Sequence, residues 1–305
     1  MKIMITGCHG QLGNELQSIL VNGKSEIGEA PKAVLGAEIL PVDIDTLDIS
    51  NMAAVSEYVS ANKPDVIINC AAMTNVDGCE SDYQTAFKVN ALGVKNLAVC
   101  AEKIGAKLIH VSTDYVFAGN GKKPYCEWDK VDPQSVYGAS KALGEKYALA
   151  FCKKSFIVRT SWLYGYIGKN FVKTVRRVIK ANGGIGVVCD QRGNPTNAND
   201  LAHHLLKLAV TEEYGIYHCT GEGECSWYEF AVKIAEYSGL GDTVTPCTTE
   251  EYNTKFNVPT KRPEYSSLRN LALECTVGNE MRDWEIALKE YISNLTDLEA
   301  VVSDK

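Results

Sequence analysis

Tyr137 and Lys141 stand four residues apart in Tyr137-Gly138-Ala139-Ser140-Lys141, within a stretch whose pattern predicts a helix over Tyr137–Ala150. That spacing puts both side chains on one helix face. A phenol with an ordinary pKa of roughly 10 exchanges protons poorly at neutral pH unless a nearby cation stabilises its anion, and Lys141 is placed to supply one. Upstream, Ser112-Thr113-Asp114-Tyr115-Val116-Phe117 closes a short apolar run, where the Thr113 hydroxyl is placed to hydrogen-bond a substrate carbonyl oxygen. A lone Tyr-x-x-x-Lys is common on helices, so this reading needs a second signal.

Gly7-Cys8-His9-Gly10-Gln11-Leu12-Gly13 supplies it, lying between a β-branched run and a helical pattern. One glycine gives the turn its backbone angles, one lets the main chain approach a pyrophosphate, and one lets helix pack on strand. The helix start then offers unpaired N–H groups and a positive dipole end to phosphates. The second apolar run ends at Val42-Asp43. A carboxylate there accepts from a free ribose 2′-hydroxyl and repels a 2′-phosphate. The usual offset of about 20 residues is stretched by a glycine-rich excursion over 21–37, so Asp45 and Asp48 are alternatives to Asp43. The Gly23-Lys24-Ser25 in that excursion lacks the glycine a Walker loop needs at Ser18 and has no strand before it.

The elements that must position these residues read as alternating strands and helices, the pattern of a parallel sheet covered on both faces. Strands are expected at Lys2–Thr6, Glu38–Asp43, Asp65–Cys70, Lys107–Ser112 and Ser155–Thr160, with helices at Gln11–Leu20, Met52–Asn62, Ser81–Ile104 and Tyr137–Ala150. Beyond Trp162 a helix is expected at Asn170–Ala181, a strand at Ile185–Cys189 and a helix at Asn199–Val210. Two helical stripes, Leu201, Leu205, Leu208 and Ala209, then Trp284, Leu288, Tyr291, Ile292 and Leu295, read as packing faces. The expected fold is α/β, a Rossmann-like doubly wound parallel sheet with a smaller interleaved α/β domain. Residues 1–162 form the dinucleotide-binding domain, segments near 190–220 return to it, and 163–305 are mainly the second domain. The tail Asp297–Lys305 reads as frayed.

Composition fits this picture. The chain has 305 residues, enough for about two domains, and its 45% hydrophobic and 23% charged residues are globular values. Lys and Arg total 31 against 38 Asp and Glu, a formal charge of −7, which argues against a phosphate-binding surface for nucleic acid. No run reaches the roughly 18–20 apolar residues of a membrane span, and no signal peptide is visible. Eleven cysteines, an odd number with no C-x-x-C, suit a reducing compartment, so a cytoplasmic chain is expected. His203 and His204 are adjacent on a helix, project apart, and do not make a metal site.

Together the glycine turn, the strand-end Thr113 and Tyr137-x-x-x-Lys141 resemble an extended short-chain dehydrogenase/reductase. The chain is more closely similar to the dTDP-4-dehydrorhamnose reductases over nearly its whole length. The segments carrying that likeness are Gly7–Leu16, Asn69–Asp77, Ser112–Phe117, Tyr137–Lys141, Arg159–Trp162, Asp190–Thr196, and Arg262-Pro263 with Ser266 and Leu268. The resemblance implies a catalytic triad of Thr113, Tyr137 and Lys141, with Tyr137 protonating the C4 oxygen while a nicotinamide of NADPH or NADH delivers hydride to C4. Cofactor-binding residues implied are Gly7, Gly10, Gln11, Leu12, Gly13, Asp43, Asp48, Ile49, Ala71, Ala72, Thr74, Asn90, Tyr137 and Lys141. For the dTDP-sugar the likeness implies Thr113, Asp114, Tyr115, Val116, Tyr137, Trp162 and Arg262, with the Gln191–Thr196 segment toward the nucleotide-sugar side. It also implies a monomer or weak homodimer with no nucleic-acid or membrane partner.

Where this family often has an acidic residue, the chain has Asn199, and Glu15 alone is a poor magnesium site, so no metal is expected. A nucleotide-sugar 4,6-dehydratase would need a second carboxylate directly after Asp114, where Tyr115 stands. Another sugar epimerase or reductase is an open alternative. So is a non-catalytic regulatory subunit of the methionine adenosyltransferase β type, which has no need for Tyr137 and Lys141 together.

Overall fold

The computed structural model describes residues 1–256 and 260–303. Its centre is a parallel sheet of six strands in the order Gly215–His218, β5 (Ser155–Thr160), β4 (Lys107–Thr113), β3 (Val66–Asn69), β1 (Lys2–Thr6) and β2 (Glu38–Val42). The expected strands are present with ends shifted by about one residue, as boundaries commonly are. Register explains where the site forms. Thr6 pairs with both Val42 and Asn69, and Thr113 pairs with Thr160. Gly7, Asp43, Cys70, Asp114 and Ser161 therefore leave the sheet along one edge.

The alternation of a strand sends successive side chains to opposite faces. Ile3 and Ile5 join one core with helix α1 (Gln11–Asn22) and the helix Ala198–Ala209, while Met4 joins the other with Met52–Asn62 and Val94–Ile104. Each such fully buried apolar side chain contributes about 1.5–3 kcal/mol. Ala198–Ala209 is buried at every residue but Lys207, so the expected stripe of Leu201, Leu205, Leu208 and Ala209 is part of a helix enclosed all round. It is held by polar partners: His204 Nδ1 meets the Asp200 carbonyl, and His203 Nδ1 meets Ser25 Oγ at 2.8 Å.

The expected helix Ser81–Ile104 is present as an unbroken helical run over Tyr83–Ile104 that widens into a π turn at Lys88–Gly93, and a separate short helix, Val76–Ser81, precedes it. Asp82 restarts the chain by accepting from Thr85 N. The π turn places Asn90 toward the segment after β3, a common use of such turns.

The excursion after α1 folds back on the far half of the chain. Glu26 N–H donates to Asn199, and its carboxylate accepts from Tyr166, Asn197 and Arg282. That second half contains the paired strands Ile185–Val188 and Val244–Cys247 and the helices Phe171–Asn182, Trp227–Tyr237 and Trp284–Ser303. Trp284, Leu288, Tyr291, Ile292 and Leu295 are buried among them. The last helix runs on through Ser303, which corrects the expected fraying from Asp297; Asp304 and Lys305 lie outside the described residues. All eleven cysteines are free thiols, and among the described residues no helix is long and apolar enough to cross a membrane.

Candidate active site

A cleft of about 750 Å³ opens along the carboxyl edge of the sheet. Gly7, at φ +65°, leaves β1 so close to the next crossing that an added Cβ would lie 2.8 Å from Ala71 N; one on Gly13 would lie 2.3 Å from the Gly7 carbonyl oxygen. Only glycine fits either place. Gly10 is the N-cap of α1 and has no side chain to occupy the helix start. The first-turn N–H groups, Gln11 and Leu12 thus face the cleft with Gly7, Gly10 and Gly13. Beneath the turn, Thr6 Oγ1 donates to Asn69 and accepts from Ala71 N, while Asn69 Nδ2 meets His110 Nδ1 at 3.0 Å. Burial holds His110 well below the usual histidine range. This polar support was not legible in the sequence.

Asp43 lies directly after β2 at the cleft wall, with Asp48 and Ile49 beyond it, whereas Asp45 is outside the lining. The Asp43 carboxylate accepts from His9 N–H at 2.9 Å and from Ile44 N–H. Ser50 donates to Asp48 and lowers its pKa. Ala71, Ala72 and Thr74 line the opposite wall, but Asn90 does not. Its amide clamps Met73 from behind, accepting from the N–H at 2.8 Å and donating to the carbonyl, and it also donates to Ser140. The expectation of Asn90 as a direct contact is corrected to one of support.

Thr113, Tyr137 and Lys141 all line this cleft. Ser135 caps the helix Val136–Phe151, and Gly138 lets it pack on the Tyr115 carbonyl, where an added Cβ would lie 2.1 Å away. Burial is the main force on the Tyr137 phenol and pushes its pKa up, with a hydrogen bond to Thr113 opposing. Lys141 lies one helical turn further along the same helix and lines the same cleft. Its ammonium donates to the Val111 carbonyl at 2.6 Å; burial pulls its pKa down to about 8, against the pull of Glu145. The four-residue spacing thus brings both groups into the cleft, with the ammonium anchored on the Val111 carbonyl. Tyr137 is held as the neutral acid, the state that gives up a proton. Glu145 takes Ser112 Oγ at 2.5 Å and Arg159 through both its oxygens, a buried anchor for the same helix.

Asp114 is buried, and burial raises its pKa to about 6 while Ser266 and Thr113 hydrogen bonds oppose the shift. Tyr115 also lines the cleft and stacks edge-on to Tyr137. Val116 does not: the short turn Asp114–Val116 rotates it into a core with Phe117, Ala142 and Leu268, so its expected place at the substrate is corrected. Arg262 is also outside the main cleft. It pairs with Asp77 at 2.7 Å and borders, with Tyr115, a separate cavity of about 150 Å³. Trp162 is in the cleft, and Trp227, which the sequence did not single out, lies there beside it. The Gln191–Thr196 segment is absent from the cleft lining and does internal work, with Asn194 joining the Gly223 carbonyl and Leu268 N–H. Asn197 caps the helix that follows.

Cys8 Sγ, His9 and Asp43 bring potential ligand atoms within 4.8 Å of one another. Burial and nearby Asp43 raise the Cys8 thiol, which opposes formation of a thiolate ligand. Near the usual magnesium reading, Asn199 donates to Glu15 at 2.8 Å in place of a second carboxylate.

A parallel sheet with a glycine turn over a buried tyrosine and its helical lysine places the chain in the extended short-chain dehydrogenase/reductase class. The sequence matches the family described as the RmlD substrate binding domain over residues 1–297. It is 40% identical to the spore coat polysaccharide biosynthesis protein SpsK of Bacillus subtilis, across 95% of this chain and 96% of that one. The crystal structure of a dTDP-4-dehydrorhamnose reductase from Clostridium acetobutylicum superposes with a TM-score of 0.90 at 49% identity, covering 97% of this chain and 100% of that chain. One from Bacillus anthracis, solved in complex with NADP, gives 0.88 at 40% identity over 96% and 100%. The chain belongs to the dTDP-4-dehydrorhamnose reductase family.

Proposed function

We propose that this chain reduces the C4 keto group of dTDP-4-dehydro-6-deoxy-L-mannose to give dTDP-L-rhamnose, using NADPH or NADH. The observation that carries the reading is the placement of a neutral Tyr137 acid, hydrogen-bonded to Thr113, in one cleft with a glycine turn that a Cβ would fill. Family membership adds the substrate class. A bound nicotinamide supplies hydride for C4. Gly7, Gly10, Gly13 and the first-turn N–H groups of α1 would hold its pyrophosphate, and Asp43 would take the adenosine ribose. Thr113, whose hydroxyl donates to Asp114 at 2.8 Å in this structure, would turn that proton to the C4 oxygen, and Tyr137 transfers its phenolic proton to that oxygen as the C–H bond forms. Lys141, charged at neutral pH, is one helical turn away to favour the phenolate left behind. Asp114, Tyr115 and Trp162 border the sugar. Arg262 holds Asp77 through Nη2 and borders, with Tyr115, the neighbouring small cavity, which leaves others of its N–H groups for a sugar pyrophosphate.

On this reading residues 163–197 and 219–295 form the second, sugar-side lobe, and the protein acts in the cytoplasm as a monomer or weak homodimer. The test is oxidation of NADPH and NADH by the purified protein with dTDP-4-keto-6-deoxy-L-lyxo-hexulose, with the product identified by NMR. Appearance of dTDP-L-rhamnose is expected. Cofactor binding without turnover of this sugar would overturn the assignment.

A further inference from the structure

The indoles of Trp162 and Trp227 lie face to face, with centroids 3.5 Å apart and planes within 9° of parallel. Trp162 has φ +48°, a region that is strained for a bulky L-residue and persists only where the surroundings enforce it. Those surroundings are specific. Gly193 lies so close that an added Cβ would come within 2.9 Å of the indole atoms Cε2, Nε1 and Cζ2. The two-stranded pairing of Arg192–Gly193 with Cys225–Ser226 sets Gly193 opposite Cys225 and delivers Trp227 as the first residue of the next helix. Ser226 and Glu229 form a reciprocal cap at that helix start, and the Glu229 carboxylate also takes Arg192 at 3.2 Å. Phe171 packs on Trp227 with centroids 4.5 Å apart. Turn, strand pair, cap and ring contacts all fix one stack, and that stack faces the cleft that contains Tyr137.

Resting on the reading that this cleft takes a dTDP-4-keto-6-deoxy sugar, we propose that Trp227 is a positioning residue for the reduction. Stacked on Trp162, it holds that indole as a fixed apolar wall against the C–H face and C6 methyl of the hexulose ring, so that C4 meets Tyr137 and Thr113. An indole alone at a strained φ would have other rotamers open to it, and misplacement by about 1 Å can cost roughly a hundredfold in rate. The opposite arrangement, in which Trp227 covers the surface the sugar must occupy, predicts a change of the opposite sign.

Wild type, Trp227→Leu and Trp227→Phe are compared by steady-state kinetics, NADPH titration and circular dichroism, in which two stacked indoles give an exciton couplet. Expected for Trp227→Leu are loss of the couplet, kcat/KM for the sugar lowered roughly ten- to a hundredfold, and an unchanged Kd for NADPH. Trp227→Phe, which keeps an aromatic face, recovers most of the activity. A Leu variant with wild-type kcat/KM, or with a lower KM for the sugar, overturns the proposal. Equal losses of sugar turnover and NADPH affinity in both variants also overturn it, because they mark a general structural role. Wild-type protein that shows the couplet but does not reduce the sugar removes the functional assignment itself, and the positioning role with it.

Discussion

The two sides of the cleft are built by different means. On the cofactor side, one contiguous turn does most of the work through backbone: Gly7 and Gly13 admit no Cβ, and Gly10 leaves the helix start open. On the side assigned to the sugar, the wall is made of large side chains from remote segments, with Trp162 stacked on Trp227 and Tyr115 edge-on to Tyr137. Backbone cradles suit a ligand of fixed shape, such as a pyrophosphate. Side-chain walls suit a ligand whose hydroxyl pattern must be told from close isomers, which is the task the proposed reduction sets the second side.

The largest expected effect lies where the sides meet. Tyr137→Phe removes the acid and should lower kcat by about 10²–10⁴-fold with cofactor affinity nearly unchanged by fluorescence titration; retained turnover would take Tyr137 out of its role. Gly13→Ala should act on the cofactor side alone. Its methyl meets the Gly7 carbonyl oxygen, so stability should fall by roughly 1–3 kcal/mol and NADPH binding should weaken at least as much as sugar binding. Equal stability and affinity in the alanine variant would show that the turn is looser than its geometry indicates.

Lys141 offers a test through pH. Its pKa is lowered from 10.5 to about 8 by burial, so kcat/KM should decline as pH rises through about 8 in the enzyme without ligands. The linkage has a definite sign. Below pH 8 both folded and unfolded chains hold the proton, and burying the ammonium costs the folded state. Between 8 and 10.5 the unfolded chain holds more protons, so this group's contribution to stability improves with rising pH. Lys141→Met should therefore be more stable at pH 7 by roughly 1–3 kcal/mol, and the advantage should vanish near pH 10.5 in denaturant titrations. A variant less stable at pH 7 would mean that the Val111 hydrogen bond outweighs desolvation. The smallest expected effect is on cofactor choice: Asp43→Ala should raise the NADPH to NADH preference about fivefold by removing a charge from the 2′ position. Unchanged preference would assign the ribose to another residue.

The same contrast governs what the sequence revealed. The Gly7–Gly13 turn, β1 to β5 and the Tyr137–Lys141 spacing are local patterns, and each was legible because its chemistry lies within a few neighbouring residues. Trp227 was not, since its partner is set by the pairing of Arg192–Gly193 with Cys225–Ser226, strands too short to leave a pattern. Val116 was misplaced because one short turn after β4 decides whether it faces cleft or core. Arg262 was read as free for a phosphate because nothing local indicates its Asp77 partner. The π turn inside the expected helix brings Asn90 to Met73, a contact that periodicity does not encode.

The strand Gly215–His218 pairs with β5, and Ala198–Ala209 covers α1, although residues 163–197 stand between them and β5 in the chain. On the ribosome this order matters. The dinucleotide half cannot close until residue 218 has emerged, and meanwhile β5 is an open edge and α1 lacks its apolar cover. A chain stopped after Trp162 is expected to aggregate and not to fold as a separate nucleotide-binding module. The two sides of the cleft are thus made in one synthesis event, with residues 163–197 of the second side emerging before the first is finished and the rest after it.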